Sequence, residues 1–570
     1  MNNLNFLVDV LKESPVFKTL EKNVKPGRTV CASGLSTINK SNIIYALCRL
    51  KGVTAFCLAS DEKEAQTLCN DLSCMGLRAY VYPVRDFNFL DFQSRSHEYE
   101  HARLKVLLKL INHECDVAIA CVDAAAQLTV PRNVLEQSVI EFEEGRELSL
   151  EKATKALTLL GYERFDAVEG SGQFSLRGGI LDFFMPDSDY PVRCEFWGDE
   201  ITDLSYFDIE TQRRFKKADK ITLSPSTEIV IEDRAALADK IEHKAKLLRS
   251  KNSAKAKEKL FSEAELIRSG AMIANADKFI NQIYDKPESL FDYLDRNTLV
   301  FASEFTAIQE RGKSMDFISN ETLMQGFEDG TLCRGFDRFA LTFNECTEFL
   351  QSHGTIVLEN FVHGSMPIKL SEIISFSTKQ LSAWGGSYKQ LKEDVDGLFT
   401  PESRGVIFAG TERAAKNLCD TFNADGINAV YSEGADKISK GELLVMQGAL
   451  SAGFEYPSQK FFAITYSQVS YRPEKSKKKK KKTGQEIYSL SELAPGDYVV
   501  HNVHGIGVFG GIRKIDTHGV IKDYIKIDYA KGDVLYVPVT QLDMVAKYIG
   551  PKEDSRVKLN RLGSGDIITL

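Results

Sequence analysis

At 570 residues the chain is too long for a single hydrophobic core, and we expect it to divide into roughly three to five domains. Hydrophobic residues make up 43% and charged residues 27%, a globular composition that excludes disorder over most of the length. The net charge of -8 excludes a surface that coats DNA by general electrostatic attraction. No window approaches the roughly 18 apolar residues of a membrane span, so we expect a modular cytoplasmic protein that does not associate with a membrane.

The cysteine pattern argues against a metal site. Eleven cysteines are scattered singly between Cys31 and Cys419, without a CxxC pair and without the close Cys/His spacing of structural zinc sites. We therefore expect them to be small buried hydrophobic residues in a reducing compartment, and we predict no metal ligands.

The first part of the chain is predicted to be an interrupted α/β domain. From residue 26 short apolar runs alternate with helical segments, the rhythm of a parallel sheet covered by helices. Around 161–208 the period changes to two, which predicts a β-rich insertion. A helical stretch follows, and the apolar run 299–302 predicts one more buried strand. We assign 1–125 and 216–340 to the interrupted domain and 126–215 to the insertion.

The remainder is predicted to contain two further domains. A small α/β domain is assigned to 341–470, with TIVLEN, GVIFAG, INAVYS and KFFAITY as strands. Six consecutive lysines predict a solvated linker at 471–487, with a phosphate-binding tether as the alternative. Four or five short strands within 488–550 predict a closed or nearly closed β-barrel, capped by a helix around 541–548. The polar segment 551–570 is predicted to lead to a further domain.

One segment has the setting of a phosphate-binding loop. Gly34 follows a predicted strand, and Asn39, Lys40 and Ser41 lie where a predicted helix opens. The segment departs from GxxxxGK[ST] because Asn39 replaces the second glycine. A side chain there should narrow the space in which backbone amides surround phosphates.

The acidic support for a metal also departs from the usual pattern. The candidate neighbouring strand ends in Ser303 and Glu304 rather than in Asp-Glu, and serine supplies no anionic anchor for Mg²⁺. We interpret the six positions as a degenerate nucleotide site without catalytic residues. The alternative is that Lys40 and Ser41 still bind ATP in a helicase or ATPase fragment.

Two stretches resemble one protein family. The segments GYER (161–164), GQFSLRGGILDFF (172–184) and PVRCEFWGDEI (191–201) resemble the UvrA-binding domain that the repair protein UvrB shares with transcription-repair coupling factors. From residue 493, the segments LAPGDYVVH, HGIG and LYVPV resemble the RNA-polymerase-interacting domain of the same factors, an SH3/Tudor-like barrel of the CarD type. Because UvrB lacks this barrel, the order of the two stretches identifies the chain as similar to the N-terminal part of a transcription-repair coupling factor.

The resemblance implies a fold and a function. The first domain would be a degenerate RecA-like domain with a P-loop remnant, the insertion would bind UvrA, and the barrel would bind the RNA polymerase β subunit. Family members continue into an ATP-driven motor on double-stranded DNA, which the resemblance places beyond residue 570 together with its ATP and Mg²⁺. We therefore expect a non-catalytic part without its own cofactor. It would recruit UvrA and bind polymerase, so that the full-length translocase can release stalled polymerase and start nucleotide excision repair.

The resemblance also points to contact residues. Arg164 and Arg177 correspond to arginines of the UvrA-binding surface, whereas Ser175 replaces a further arginine. The apolar candidates for UvrA contact, with core packing as the alternative, are Phe174, Phe183 and Phe184. The polymerase candidates, on a strand just before a turn, are Arg513, Lys514 and Ile515, with barrel core as the alternative for the isoleucine.

Overall fold

A computed structural model describes residues 4–85, 97–137, 140–248, 253–270, 276–361, 366, 368–384, 387–466, 484–486, 495–501, 505–517, 520–530, 533–538 and 545–548. The chain divides into two compact units, Met1–Tyr471 and Arg472–Leu570. No helix in the described part of the chain combines the length and apolar composition that a membrane crossing needs.

The elements follow one another in chain order. The helices are α1 (Asn5–Lys12), α2 (Pro15–Asn23), α3 (Thr37–Lys51), α4 (Glu62–Cys74), α5 (Glu98–Ile111), α6 (Val122–Ala126), α7 (Arg132–Gln137), α8 (Leu150–Leu159), α9 (Arg234–Leu247), α10 (Ser253–Arg268), α11 (Ile280–Ile283), α12 (Phe305–Asp329), α13 (Phe343–His353), α14 (Tyr388–Leu398) and α15 (Glu412–Ala424). The strands are β1 (Val30–Ser33), β2 (Ala55–Ala59), β3 (Ala79–Tyr82), β4 (Val117–Cys121), β5 (Ile140–Glu143), β6 (Glu163–Arg164), β7 (Gln173–Arg177), β8 (Ile180–Phe183), β9 (Val192–Trp197), β10 (Glu200–Phe207), β11 (Arg214–Lys217), β12 (Lys220–Leu223), β13 (Leu299–Ser303), β14 (Thr355–Glu359), β15 (Glu372–Ser375), β16 (Lys379–Leu381), β17 (Arg404–Phe408), β18 (Ala429–Tyr431), β19 (Glu442–Met446), β20 (Gly453–Tyr456), β21 (Phe461–Thr465), β22 (Gly484–Glu486), β23 (Tyr498–His501), β24 (Gly505–Thr517), β25 (Val520–Asp528), β26 (Val534–Pro538) and β27 (Val545–Tyr548).

The first sheet is parallel throughout and has seven strands in the order β15-β1-β14-β13-β2-β4-β3. Alternate residues of β2 enter two separate cores: Cys57 faces one, and Phe56 and Leu58 face the other. Helices cover both faces, which explains why the strands read as continuous apolar runs. The segment TIVLEN forms β14 between β1 and β13, so its assignment to the second α/β domain is wrong. A fully apolar run does not specify which parallel sheet it joins.

The β-rich insertion forms a six-stranded sheet in the order β11-β10-β9-β8-β7-β6. All its pairs are antiparallel except β6 with β7, and β5 pairs with β12 beside it. One face packs with α8 around a core that includes Phe142, Leu157 and Phe183. After this sheet the chain passes through α9 to α11 and returns to the first sheet as β13.

A second mixed sheet has the order β16-β20-β21-β17-β19-β18. It shares a hydrophobic core with the first sheet, because α1, α2 and α3 contribute residues that pack against both. The rings of Phe6 and Phe461 lie 6.2 Å apart across this junction. An ion pair between Arg404 Nη2 and Glu13 Oε2, at 2.6 Å, joins the end of α1 to β17. The two α/β regions are therefore packed together.

The second unit contains an antiparallel sheet with the order β22-β27-β23-β24-β25-β26. The predicted helix around 541–548 is wrong for its last four residues, which form β27. Pairing with β22 and β23 on its two sides satisfies its backbone groups and outweighs the local helical pattern. The lysine run 477–482 and the predicted linker 551–570 lie outside the described residues.

Candidate functional sites: a closed phosphate-loop remnant and two partner surfaces

The segment with phosphate-loop character lies at the carboxyl end of β1. Gly34 has φ of +78°, Ser36 caps α3, and the helix runs from Thr37 to a left-handed Gly52. From residue 38 to residue 48 every residue of α3 is buried. This explains its weak amphipathic pattern, since the helix is covered by protein on several sides. The predicted strand, loop and helix are present, but the helix lies inside the molecule.

Backbone groups of the loop are bonded to neighbouring protein. The Gly34 amide donates to the Asn360 carbonyl at 3.2 Å, and the Leu35 amide donates to the Glu359 carbonyl at 3.1 Å. The Phe376 carbonyl crosses so close to Gly34 that a Cβ there would lie 2.2 Å from its oxygen. In a phosphate-binding loop such amides point at the ligand. Here the first two are already used within the fold.

Asn39 replaces the second glycine of the motif, and its side chain is bonded to the loop. It lies in the first turn of α3, fully buried, and its Oδ1 accepts a hydrogen bond from Ser36 Oγ at 2.6 Å. The side chain therefore ties the helix to its own cap. Phe376, Glu359 and Asn360 also approach the loop closely.

Lys40 is held by acceptors from the end of β13 and from the first turn of α4. Its ammonium donates to Glu304 Oε1 at 2.6 Å, to Ser303 Oγ at 2.9 Å and to Glu64 Oε1 at 3.3 Å. Lys40 is 1% exposed. An ammonium group has three donors, and these contacts occupy all three. The carboxylates of Glu64 and Glu304 and the Ser303 hydroxyl therefore leave the ammonium no free donor.

The surrounding carboxyl groups respond to burial and to this lysine. Burial acts to raise the pKa of Glu64, but the Lys40 charge and hydrogen bonds from Ser303 and Ser60 hold it below its ordinary value. Burial and the neighbouring Glu304 raise the pKa of Glu359 to about 7, although Glu359 accepts a bond from the Phe305 amide. Glu304 itself has a left-handed backbone with φ of 55°. The cluster thus sets one ammonium group against the carboxyl groups of Glu64, Glu304 and Glu359.

Ser41 connects α3 to the second α/β region. Its hydroxyl lies 3.3 Å from Asp71 Oδ2, and Asp71 accepts bonds from the Ser451 amide and hydroxyl, both at 2.7 Å. Burial raises the pKa of Asp71 to about 6, against the lowering effect of the Ser451 and Ser41 hydrogen bonds. The hydroxyl that a phosphate-loop serine would offer to Mg²⁺ is therefore engaged with protein.

Sequence reasoning missed several of these partners. Glu64, Asp71, Glu359 and Phe376 carry no local motif, and Asp71 meets Ser451 across 380 positions of the chain. Among the described residues, no group of three or more His, Cys, Asp or Glu side chains is arranged to hold a metal ion.

In the insertion sheet the two predicted arginines are exposed. Arg164 lies on the edge strand β6, and Arg177 lies at the end of β7, where its guanidinium bonds Asp182 at 2.8 Å. Asp182 is buried and also accepts two bonds from Arg193, at 2.7 and 2.8 Å. Ser175, at the position of the missing arginine, is buried and donates to the Asp166 carbonyl.

The predicted phenylalanines are mostly internal. Phe174 and Phe183 are 3% and 0% exposed and belong to the core of the insertion, whereas Phe184 is half-buried. We therefore leave the first two out of the proposed contact surface, because alternation on paired strands directs them inward. Two exposed aromatic residues were missed, Phe165 beside Arg164 and Trp197, which is 82% exposed at a hairpin end. The sequence signal that could have indicated their exposure is that Phe165 follows Arg164 and Trp197 precedes a glycine of a turn.

In the second unit the predicted polymerase contacts lie on β24. Arg513, Lys514 and Ile515 pair with Tyr524, Asp523 and Lys522 of β25. The Arg513 side chain is exposed. On the other side, β24 pairs with β23 only from Gly505 to Val508 among the described residues. Within the described part of the chain, the far half of β24 thus has one neighbouring strand.

The fold and its surfaces define a multidomain α/β protein with a parallel sheet and separate β-rich domains. Two family models match it: the UvrB interaction domain over residues 140–229 and the CarD-like/TRCF RID domain over residues 493–549.

Over most of its length the chain is also similar to transcription-repair-coupling factors. It is 29% identical to that of Bacillus subtilis over 98% of this chain and 48% of the relative. It is 27% identical to that of Staphylococcus haemolyticus over 85% of this chain and 42% of the relative. The chain spans about half the length of the curated relatives it matches. The resemblance to the N-terminal part of transcription-repair coupling factors is thus confirmed.

Proposed function

We propose that this chain is a recruiting platform of transcription-coupled DNA repair. Its insertion domain binds UvrA, and its second unit, as an SH3/Tudor-like barrel, binds the RNA polymerase β subunit. The observation that carries the proposal is the occurrence of a UvrB interaction domain and a CarD-like/TRCF RID domain in one chain. In this view the whole protein uses an ATP-driven motor on double-stranded DNA to release stalled polymerase and begin nucleotide excision repair.

The insertion carries exposed arginine and phenylalanine side chains that can contact UvrA. Arg164 and Phe165 are both exposed on or beside the edge strand β6, and Arg177 is exposed on the adjoining β7. A guanidinium group can donate two parallel hydrogen bonds to one carboxylate. An adjacent aromatic ring adds apolar contact area. We therefore expect the surface of UvrA that contacts these arginines to be acidic.

The polymerase contact is assigned to β24. Arg513 is exposed there, and among the described residues the strand has a neighbour on one side only beyond Val508. Such a segment can accept a strand from a partner, with backbone bonds supplying affinity and side chains supplying selectivity. Lys514 and Ile515 belong to the same assignment.

The degenerate RecA-like domain is assigned a structural role without ATP hydrolysis or a cofactor of its own. Its lysine is bound by Glu304 and Glu64, and its loop amides by the chain after β14. A nucleotide would have to displace these internal carboxylates from a buried ammonium. Magnesium-dependent ATP turnover by residues 1–570 would overturn this assignment.

The UvrA assignment is tested by a paired substitution with a matched control. Arg164→Glu combined with Arg177→Ala should abolish co-purification with UvrA, and the alanine leaves Asp182 bonded to Arg193. The control is Arg213→Glu beside β11, at the opposite edge of the same sheet. UvrA capture should persist in the control variant, polymerase capture should be unchanged in both variants, and a circular dichroism spectrum equal to that of the unaltered chain would report that the insertion is folded. Retained UvrA binding by the double variant would move the interface elsewhere.

The polymerase assignment has its own test. Ile515→Glu should prevent co-purification with the β subunit while UvrA capture persists. The control is Lys526→Glu on β25, a strand that already has neighbours on both sides. Retained polymerase binding by the Ile515 variant would contradict the assignment to β24.

A further inference from the structure

A cavity of about 240 Å³ lies at the edge of the first sheet opposite to Lys40. It is bordered by the residues that precede or open β1, β13 and β14, the edge at which these parallel strands begin. None of the residues of the phosphate-loop remnant takes part in its lining. The cavity is therefore separate from the site described above.

Its lining is strongly cationic. Lys25, Arg28, Lys51 and Arg296 border the cavity together with His353, and no carboxylate residue is part of the lining. This concentration of positive charge occurs in a chain whose net charge is -8. Four like charges around one small space repel one another, and an anion between them would relieve that repulsion.

Nearby acidic residues neutralise the cluster only in part. Arg28 pairs with Glu372 at 3.3 Å, and Lys51 reaches Glu21 at 4.0 Å. Lys25 and Arg296 are exposed and have no ion-pair partner among the residues that the structure describes. Two of the four cations are thus left for a ligand.

Arg28 supplies an independent observation. Its Nη2 is paired with Glu372, its Nε has no hydrogen-bond partner within the described part of the chain, and its side chain is 36% exposed. The guanidinium therefore keeps donors that an anion in the cavity can use. His353 is held beside it, since its Nε2 lies 2.8 Å from the Thr298 carbonyl.

We propose that this cavity binds the phosphate groups of a small anionic molecule, in the class of pyrophosphate or a nucleoside diphosphate. Guanidinium and ammonium groups converging on one small space suit a multiply charged oxyanion. A nucleic-acid backbone would need cations spread along a surface, whereas these four cations border one cavity of about 240 Å³. The proposal is independent of UvrA and polymerase binding.

The test is calorimetric titration of the 570-residue chain with pyrophosphate at low ionic strength. Lys25→Ala combined with Arg296→Ala should raise the Kd by about tenfold or more, which corresponds to about 1.4 kcal/mol, because two of the four cations are lost. Lys18→Ala removes an exposed lysine of α2 outside the cavity and should leave the Kd unchanged. A parallel titration with ADP separates free phosphate from nucleotide as the ligand, and binding of either supports the proposal.

Three results would overturn the proposal. They are the absence of pyrophosphate and ADP binding, an equal Kd in the double variant and the unaltered chain, and binding of a DNA duplex without binding of the small anions. The second result would mean that the anions bind elsewhere on the chain, because Lys25 and Arg296 are lost in the double variant.

Discussion

Replacing Lys40 by methionine distinguishes a structural lysine from a nucleotide-binding one. In a working phosphate loop the lysine faces solvent or ligand, so its loss chiefly weakens nucleotide binding. In this chain the ammonium is 1% exposed and compensates Glu64 and Glu304. Methionine has a similar length but leaves both carboxylates without their cation. We therefore expect Lys40→Met to destabilise the chain in the absence of any nucleotide.

The magnitude follows from the burial of the two carboxylates. Removing one partner of a buried ion pair costs about 3–5 kcal/mol, because an uncompensated charge remains. The Glu64 side chain is 10% exposed and that of Glu304 is 27% exposed, so water relieves the second more than the first. We expect a loss of about 3 kcal/mol. Adding Glu64→Gln to the lysine variant should restore part of it, as a double-mutant cycle would show.

Hydrogen exchange is the suitable assay, because a chain with several domains does not unfold in one step. The opening free energy of amides in α3 and β13 should fall by the stated amount. The matched control is Lys63→Met, which removes an exposed lysine next to Glu64 and should change these amides by less than about 0.5 kcal/mol.

The pH dependence adds a second readout. The pKa of Glu64 is lowered from 4.5 in the fold, so its stabilising contribution is present above that value and is lost as the pH falls. The difference between the Lys40 variant and the unaltered chain should therefore shrink in acid. Equal protection of α3 in the two proteins at neutral pH would refute the reasoning, because it would mean that the carboxylates do not depend on Lys40.

Three further predictions concern the same region. The pKa of Asp71 is raised from 3.8 to about 6, so its contribution to stability should grow by up to about 3 kcal/mol as the pH falls from 6 towards 4. Asp71→Asn should remove this pH dependence in denaturation measurements. Gly34→Ala should lower the free energy of unfolding by about 2 kcal/mol or more, because φ is +78° and the new Cβ would meet the Phe376 carbonyl. The control Gly52→Ala has φ of +62° but open space around the new Cβ, so it should lower the free energy of unfolding by less. Equal losses in the two variants would contradict the steric part of the argument. Arg404→Met should loosen α1 from β17 by about 1 kcal/mol, since Glu13 is half exposed, and unchanged exchange of α1 amides would show that the ion pair contributes nothing.

Much of the local structure could be predicted from the sequence. The alternation of apolar runs with helical segments indicated the parallel sheet that the structure contains. The position of Gly34 and Lys40 between a strand and a helix was also predicted. The motifs in the insertion and in the second unit indicated the similarity to transcription-repair coupling factors that the comparisons confirm. These features depend on residues close together in the chain, where periodicity and turn chemistry act directly.

Only the tertiary structure decided what surrounds those residues. It placed β14 in the first sheet, turned Phe174 and Phe183 inward, and brought Glu64 and Glu304 to Lys40. Strand order in a parallel sheet, the buried face of a strand and the partner of a buried charge depend on packing between distant segments. Local patterns show that Lys40 lies in the first turn of a helix. Its partners are the protein's own carboxylates because the order of the strands buries the lysine beside them, where its charge must be compensated.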